Sequence, residues 1–203
     1  MLYKIAHFLQ ERLSFIWNFI EILNSWLFSL RYGRKLQGIQ PILTKYQGKF
    51  IIREAKLKDV DAIVSFFQAQ PSESFEFFKP HEFDAKTTKK LIKNKSYLYF
   101  IVLDGSQVVG YYFLRSFFMG KSYLGKLVDY RYRSKGIGKK MCLSAMEVAI
   151  HCGLRMYETI SKDNLASLYS TQKVLDTRII EEMEDNYIYI EDLPKGSLKE
   201  LNL

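Results

Sequence analysis

Apolar residues recur along this chain with two periods, and each change of period marks an element. In residues 2–30 polar residues recur at His7, Gln10 and Glu11, Ser14, Asn18, Glu21, Ser25 and Ser29. Steps of three and four draw one narrow polar stripe along a helix whose remaining surface is Phe, Ile, Leu and Trp. Arg31, Arg34 and Lys35 follow at once. Residues 37–48 hold two Gly and a Pro and read as a linker. From Lys49 the pattern alternates between strand and helix. "KFIIREA" reads as a strand and "LKDVDAIVSFFQAQ" as a helix with Ala62, Ile63, Phe66 and Phe67 on one face. After the aromatic stretch "PSESFEFFKPHEF" comes a short helix, Asp84 to Asn94. "SYLYFIVL" and "VVGYYFLRSFF" flank a turn at Asp104–Gln107, which predicts a hairpin.

A further strand is predicted from Ser122 to Tyr132. Ile137, Met141, Ala145, Val148 and Cys152 then step at helical spacing to a stop at Gly153. "RMYETIS" reads as a strand, and "DNLASLYSTQKV" as a helix capped by Asp163 or Asn164. Strands around 178–183 and 187–190 close the pattern. The order β-α-α-β-β-β-α-β-α-β-β predicts an α+β fold, a mostly antiparallel sheet with helices on its faces. The implied organisation is an amphipathic helix over 1–36, a linker over 37–48, a domain over 49–193 and a tail over 194–203.

The N-terminal helix admits three readings. Polar residues in every turn argue against a transmembrane span, which wants ~20 predominantly apolar residues. A signal peptide needs a small-residue cleavage site, and none is visible. What remains is an amphipathic helix, packed on its own domain or a twin subunit, or lying on anionic lipid through its Trp anchors and basic flank.

Composition narrows the function classes. Of 203 residues, 48% are hydrophobic, with 15 Phe and 14 Tyr, which excludes a disordered chain. The two cysteines, Cys142 and Cys152, lie ten residues apart on one predicted helix, too far to bridge. A reducing cytoplasm fits, and no Cys/His cluster has metal-binding spacing. The net charge of +8 is uneven: residues 121–140 hold seven basic side chains against Asp129 alone. The charge gathers at one loop and at the N-terminal flank, which argues against nucleic acid as a partner.

That loop, "RYRSKGIGKK" (131–140), combines flexible backbone with positive charge between a strand and a helix. Phosphate is the usual ligand of such a combination, since glycine lets N–H groups approach an anion and the helix dipole favours it. A dinucleotide fingerprint would need a third glycine, where Met141 stands. A P-loop ending at Gly120-Lys121-Ser122 would need glycine at Arg115 and a helix after it.

The run Leu127–Gly138 resembles the GNAT superfamily of acyl-CoA-dependent N-acetyltransferases, in which a strand leads through Arg/Gln-x-x-Gly-x-Gly/Ala into a helix. "Asn164-Leu165-Ala166-Ser167" is similar to the family's Asn-x-x-Ser element, and "DGSQVVGYYFL" to its central hairpin. The resemblance covers about residues 49–190. It implies that N–H groups of Ser134, Lys135, Gly136, Ile137, Gly138 and Lys139 hold the coenzyme A pyrophosphate, with Arg133, Lys135, Lys139 and Lys140 supplying charge. It also implies that the backbone at Leu127 and Val128 pairs with pantetheine and polarises the thioester carbonyl, and that Asn164 lines the thiol end. Acetyl-CoA would be the co-substrate, with no metal.

Departures bear on catalysis. The family often places Tyr seven residues after the Asn, where Thr171 stands; Tyr169 is the nearest phenol. Leu175-Asp176 replaces the family's Gly-Phe. His81 and Glu158 are the candidate bases, whereas His7 and His151 look incidental. The element around Pro80-His81-Glu82-Phe83 is similar to one in relatives acting on sugar amines. The implied activity is acetyl transfer from acetyl-CoA to a primary amine of a small molecule or amino sugar. The competing reading is a non-catalytic acyl-CoA-binding or assembly module, membrane- or dimer-associated through residues 1–36. The implied location is cytoplasmic, peripheral at the inner face of the membrane.

Overall fold

The computed structural model describes residues 14–197, with side chains from residue 16. Within that range the chain forms α1 (Ser14–Leu36), α2 (Ile39–Lys45), β1 (Ile51–Glu54), α3 (Val60–Gln68), α4 (Ala85–Lys93), β2 (Tyr97–Asp104), β3 (Gln107–Ser116), β4 (Lys121–Val128), α5 (Ile137–Cys152), β5 (Arg155–Ser161), α6 (Leu165–Gln172), β6 (Leu175–Glu182) and β7 (Tyr187–Pro194). His7 and the first 13 residues of the predicted N-terminal helix lie outside the described residues, as does the end of the predicted tail.

The seven strands make one sheet in the order β1-β2-β3-β4-β5-β7-β6. All neighbours are antiparallel except β4 and β5. Strand β2 shows why its sequence reads as an unbroken apolar run. Leu98, Phe100 and Val102 face one core with α1, α2 and α5, while Tyr97, Tyr99, Ile101 and Leu103 face the other with α3 and α4. A strand covered on both faces has no polar side to show. The helix α5 carries Met141, Ala145, Val148 and Cys152 into the first core. It ends at Gly153, whose left-handed φ of +74 returns its N–H to the carbonyls of Ala149 and Ile150.

Two sequence expectations change. The stretch 37–48, expected as a linker, holds α2, and Ile39, Ile42 and Leu43 are buried in the core. Pro41 is compatible with this because it sits in the first turn, where its missing N–H would have had no intrahelical partner. The strand expected to reach Tyr132 stops at Val128 and gives way to a short 3₁₀ turn over Tyr130–Tyr132.

Helix α1 packs on the domain with its polar stripe inward. Asn24 donates to Ser96 Oγ and to the Ser116 carbonyl, and accepts from the Phe118 N–H, each at 3.0 Å. Glu21 pairs with Arg115 and Lys90, and Ser25 Oγ accepts from the Lys95 N–H. Phe28 and Tyr32 continue the same side into the core.

Candidate active site

The parallel pairing of β4 with β5 is confined to Lys121–Tyr123 against Arg155–Tyr157. Beyond it β4 runs on to Val128 and β5 to Ser161, unpaired with each other. The strands therefore part, and on its β5 side the β4 backbone from Leu124 to Val128 has no strand partner. An extended ligand can use such an edge as a further strand would. Leu127 and Val128 lie at its end, next to the basic loop.

That loop is fixed before it meets a ligand. Buried Asp129 accepts the Arg131 N–H at 2.9 Å and binds its guanidinium at 2.7 Å. Burial alone would raise the Asp129 pKa, but the Arg131 bonds and charge hold it below the ordinary carboxylate value. Ser134 and Gly136 both take left-handed φ, +62 and +80. The chain thus turns sharply on either side of Lys135. For Ser134 that conformation costs about 1–3 kcal/mol, the kind of strain a ligand-binding turn carries. The first amide of α5 to find a helical acceptor is Lys140, to the Gly136 carbonyl. The N–H groups of Ile137, Gly138 and Lys139 belong to the first turn, where no intrahelical acceptor exists. At Gly136 and Gly138 an added Cβ would meet no atom within 4 Å, so the space over both glycines is open. Arg133 donates to Ser74 Oγ at 2.8 Å, and the Lys135 ammonium stands 4.2 Å from the centre of the Tyr132 ring. Lys140 is engaged elsewhere: its ammonium caps α2 by donating to the carbonyls of Tyr46 and Gln47. The arrangement fits a pyrophosphate, with orphan amides, a helix N-terminus, open space and cations together.

Between the parted strands lies a buried polar cluster that joins Glu158 and Thr171 to a residue the sequence did not single out. Lys126, on β4, reaches across to Glu158 on β5 at 2.7 and 2.9 Å, and donates to Thr171 Oγ1 at 2.9 Å. Thr171 in turn donates to Glu158 Oε1 at 3.1 Å. Burial works against the Lys126 ammonium, but its interactions with Cys142, Glu158 and Asp192 raise its pKa above the ordinary lysine value. Burial pushes the Cys142 thiol up to about 11. Asp192 on β7 is buried, and neither carboxyl oxygen finds a hydrogen-bond partner among the described residues. Its burial, then the Glu158 charge, push its pKa up to about 9, so it is a neutral acid at pH 7. Glu158 and Thr171 were already singled out in the sequence; Lys126, in the strand "YLGKLV", was not.

The other sequence candidates fall as follows. Asn164 caps α6, its Oδ1 accepting the Ser167 N–H at 3.1 Å. Thr171 is fully buried, whereas Tyr169 is 65% exposed on α6. Neighbouring positions of opposite facing follow from the 160° between them, as two residues at 3.6 per turn require. His81 lies on the opposite face of the sheet from the cluster, packed by Phe67, Phe83 and Tyr111. Its Nδ1 bonds the Glu82 carbonyl at 2.7 Å and its Nε2 meets Tyr111 Oη at 2.8 Å. A carbonyl can only accept, so Nδ1 carries the proton and Nε2 accepts from the tyrosine. Burial lowers the His81 pKa, which favours this neutral ring.

Known proteins share this frame. No curated protein matches the chain. Among solved structures, the GNAT domain of S. lividans PAT superposes with a TM-score of 0.61 at 15% identity, covering 70% of this chain and 89% of that one. The PaiA N-acetyltransferase of Thermoplasma acidophilum, solved with coenzyme A, gives 0.58 at 13% identity over 71% and 98%. The aminoglycoside acetyltransferase AAC(6')-Ib, solved with coenzyme A and kanamycin, gives 0.57 at 13% over 76% and 99%. The profile of the acetyltransferase (GNAT) family matches residues 61–173. That span takes in the loop, the parted strands and the helix bearing Thr171, and the chain belongs to the GNAT family of acetyltransferases, whose co-substrate is acetyl-CoA.

Proposed function

We propose that this acetyltransferase moves the acetyl group of acetyl-CoA to the primary amine of a small molecule or amino sugar by direct attack. The observation that carries the reading is the continuity of two features: an anion-binding turn at the end of β4 and a free β4 edge leading away from it. Together they suit a ligand with a pyrophosphate at one end and an amide-bearing arm at the other. In this reading the amides of 134–139, with Arg133, Lys135 and Lys139, hold the phosphates. The backbone at Leu127 and Val128 pairs with the arm, and an N–H there polarises the thioester carbonyl. Asn164, at the start of α6, lines the thiol end.

The amine nitrogen forms a bond to the acyl carbon, the carbon–sulfur bond breaks, and the thiolate leaves. The amine must give up a proton and the thiolate must gain one. Glu158 is the candidate carboxylate at the parted strands, and Lys126 beside it offers positive charge as the thiolate develops. His81, closed off by Glu82 and Tyr111, serves the aromatic wall on the acceptor side. Phe78 and Phe83, half-buried beside His81, are the rings of that wall a ligand ring can meet, backed by the buried rings of Phe67, Tyr97 and Phe113. Tyr169, exposed on α6, can reach only a ligand approaching from outside. An aminoglycoside acetyltransferase among the structural neighbours supports sugar amines as the first acceptors to try.

The test is a panel of amino sugars, polyamines and amino-acid amines incubated with acetyl-CoA. Free thiol release is followed together with the mass of the amine. Thiol release matched by one acetyl group on an amine supports the proposal. A second reading draws on Thr171, whose hydroxyl is already used by Lys126 and Glu158. Saturable acetyl-CoA binding with no transfer to any amine of the panel would favour that reading, a binding or assembly module.

A further inference from the structure

Helix α1 is turned inside out relative to an ordinary surface helix. Its hydrogen-bonding residues Glu21, Asn24 and Ser25 face the domain. Phe19, Ile22, Leu23, Trp26 and Leu30 face away, with Ile22 69% and Leu30 67% exposed. These five recur at three- and four-residue steps, so they form one stripe about 16 Å long at 1.5 Å per residue. Beside it the β3–β4 turn presents Phe118 and Met119, the latter 76% exposed. The turn is tied to the helix by the Phe118 N–H on Asn24 and the Phe118 carbonyl on Arg31. Apolar surface of this extent on a soluble domain marks a docking face.

The surroundings say what kind of surface it meets. Arg31 and Arg34 are exposed at the C-terminal end of the stripe. At its other end α4 brings Lys86, Lys89, Lys90 and Lys93, all exposed, with Lys95 just after it. Lys90 is bonded to Asn18 and paired with Glu21, so this basic element lies directly against α1. Glu21 is the one acid within Ser14–Leu36, and it is held inward by Arg115 and Lys90. A second copy packed on this stripe would bring cationic rims together with no acid on the helix to meet them. No helix among the described residues is long and apolar enough to cross a membrane.

We propose that α1 and the Phe118–Met119 turn dock this protein on an anionic membrane surface. The helix lies in the plane of the interface, with Phe19, Ile22, Leu23, Trp26 and Leu30 in the acyl boundary. The lysines of α4 and the arginines of α1 rest on the head groups. The inference stands apart from the acetyl-transfer reading, since none of these residues touches the loop or the parted strands.

The test is flotation of the full-length protein with vesicles of phosphatidylcholine alone and of phosphatidylcholine with phosphatidylglycerol. The proposal expects flotation with the anionic vesicles only, weakened by salt. An Ile22→Glu/Trp26→Glu variant, both sites being exposed, should keep its melting temperature and lose at least tenfold in vesicle affinity. In a Trp17→Phe background, Trp26 emission should shift to shorter wavelength with anionic vesicles. Failure of the wild type to float overturns the proposal. So does a stable dimer in light scattering that the Ile22→Glu/Trp26→Glu variant abolishes, since a second copy would then own the stripe.

Discussion

Replacing Lys126 with Met removes the single cation of the buried cluster and leaves the carboxylate of Glu158 facing Thr171 and Asp192. The side chains of Lys126 and Glu158 are 9% and 5% exposed, so water cannot restore what is lost. Breaking such a pair by removing one partner costs about 3–5 kcal/mol, because it strands a buried charge. For a chain of this size each kcal/mol moves the midpoint by about 2–4 °C. The single variant should therefore melt roughly 6–20 °C below wild type at pH 7. Removing both charges is a different experiment. Lys126→Met with Glu158→Leu exchanges the pair for apolar groups of similar volume, which is often near neutral. The double variant should recover most of the loss. Calorimetric melting of the wild type, both single variants and the double closes the cycle. A Lys126→Met protein that melts within about 2 °C of wild type would refute a buried, interdependent pair. So would a double variant no more stable than the worse single one.

Two further outcomes follow from other contacts. Asp192 binds its proton more tightly folded than unfolded, so between the ordinary carboxylate pKa and about 9 the folded state holds the extra proton and stability falls as pH rises; Asp192→Asn should therefore gain more in melting temperature over wild type at pH 8 than at pH 5, and an equal gain at both would count against a raised pKa. Asn24→Leu removes its hydrogen bonds to Ser96, Ser116 and Phe118, which should cost about 1–3 kcal/mol and expose α1 to limited proteolysis before the rest of the domain; unchanged cleavage kinetics would show that these bonds do not hold the helix.

The element order from Lys49 was legible because strands and helices differ in period: β2 and β3 carry long apolar runs, and α5 repeats its apolar residues at helical spacing. The glycine loop was legible for a similar reason: Gly136 supplies locally the left-handed turn that the loop needs. What the sequence hid depends on distance along the chain. Lys126 meets Glu158 and Thr171 only because β4, β5 and α6 are folded together, and no local pattern joins positions 32 and 45 residues apart. The periodicity of α1 defined two faces but not their direction. Polar groups of the domain, the Ser96 hydroxyl, the Ser116 carbonyl and the Arg115 guanidinium, drew the polar stripe inward. Residues 37–48 read as a linker because Gly and Pro usually punctuate helices, yet Pro41 occupies the first turn of α2, where a proline costs nothing.

The most direct test is calorimetric titration of acetyl-CoA into the full-length protein and into Gly136→Trp. At Gly136 a side chain would project into open space above the loop, where the pyrophosphate is placed, and the left-handed φ adds strain of about 1–2 kcal/mol. The variant should remain folded, as a melting curve will report, while wild type binds acetyl-CoA and the variant loses at least tenfold, about 1.4 kcal/mol. Equal binding by both proteins would move the phosphate site away from this turn. A well-folded wild type that binds no acetyl-CoA would contradict the assignment of loop and parted strands as the donor site.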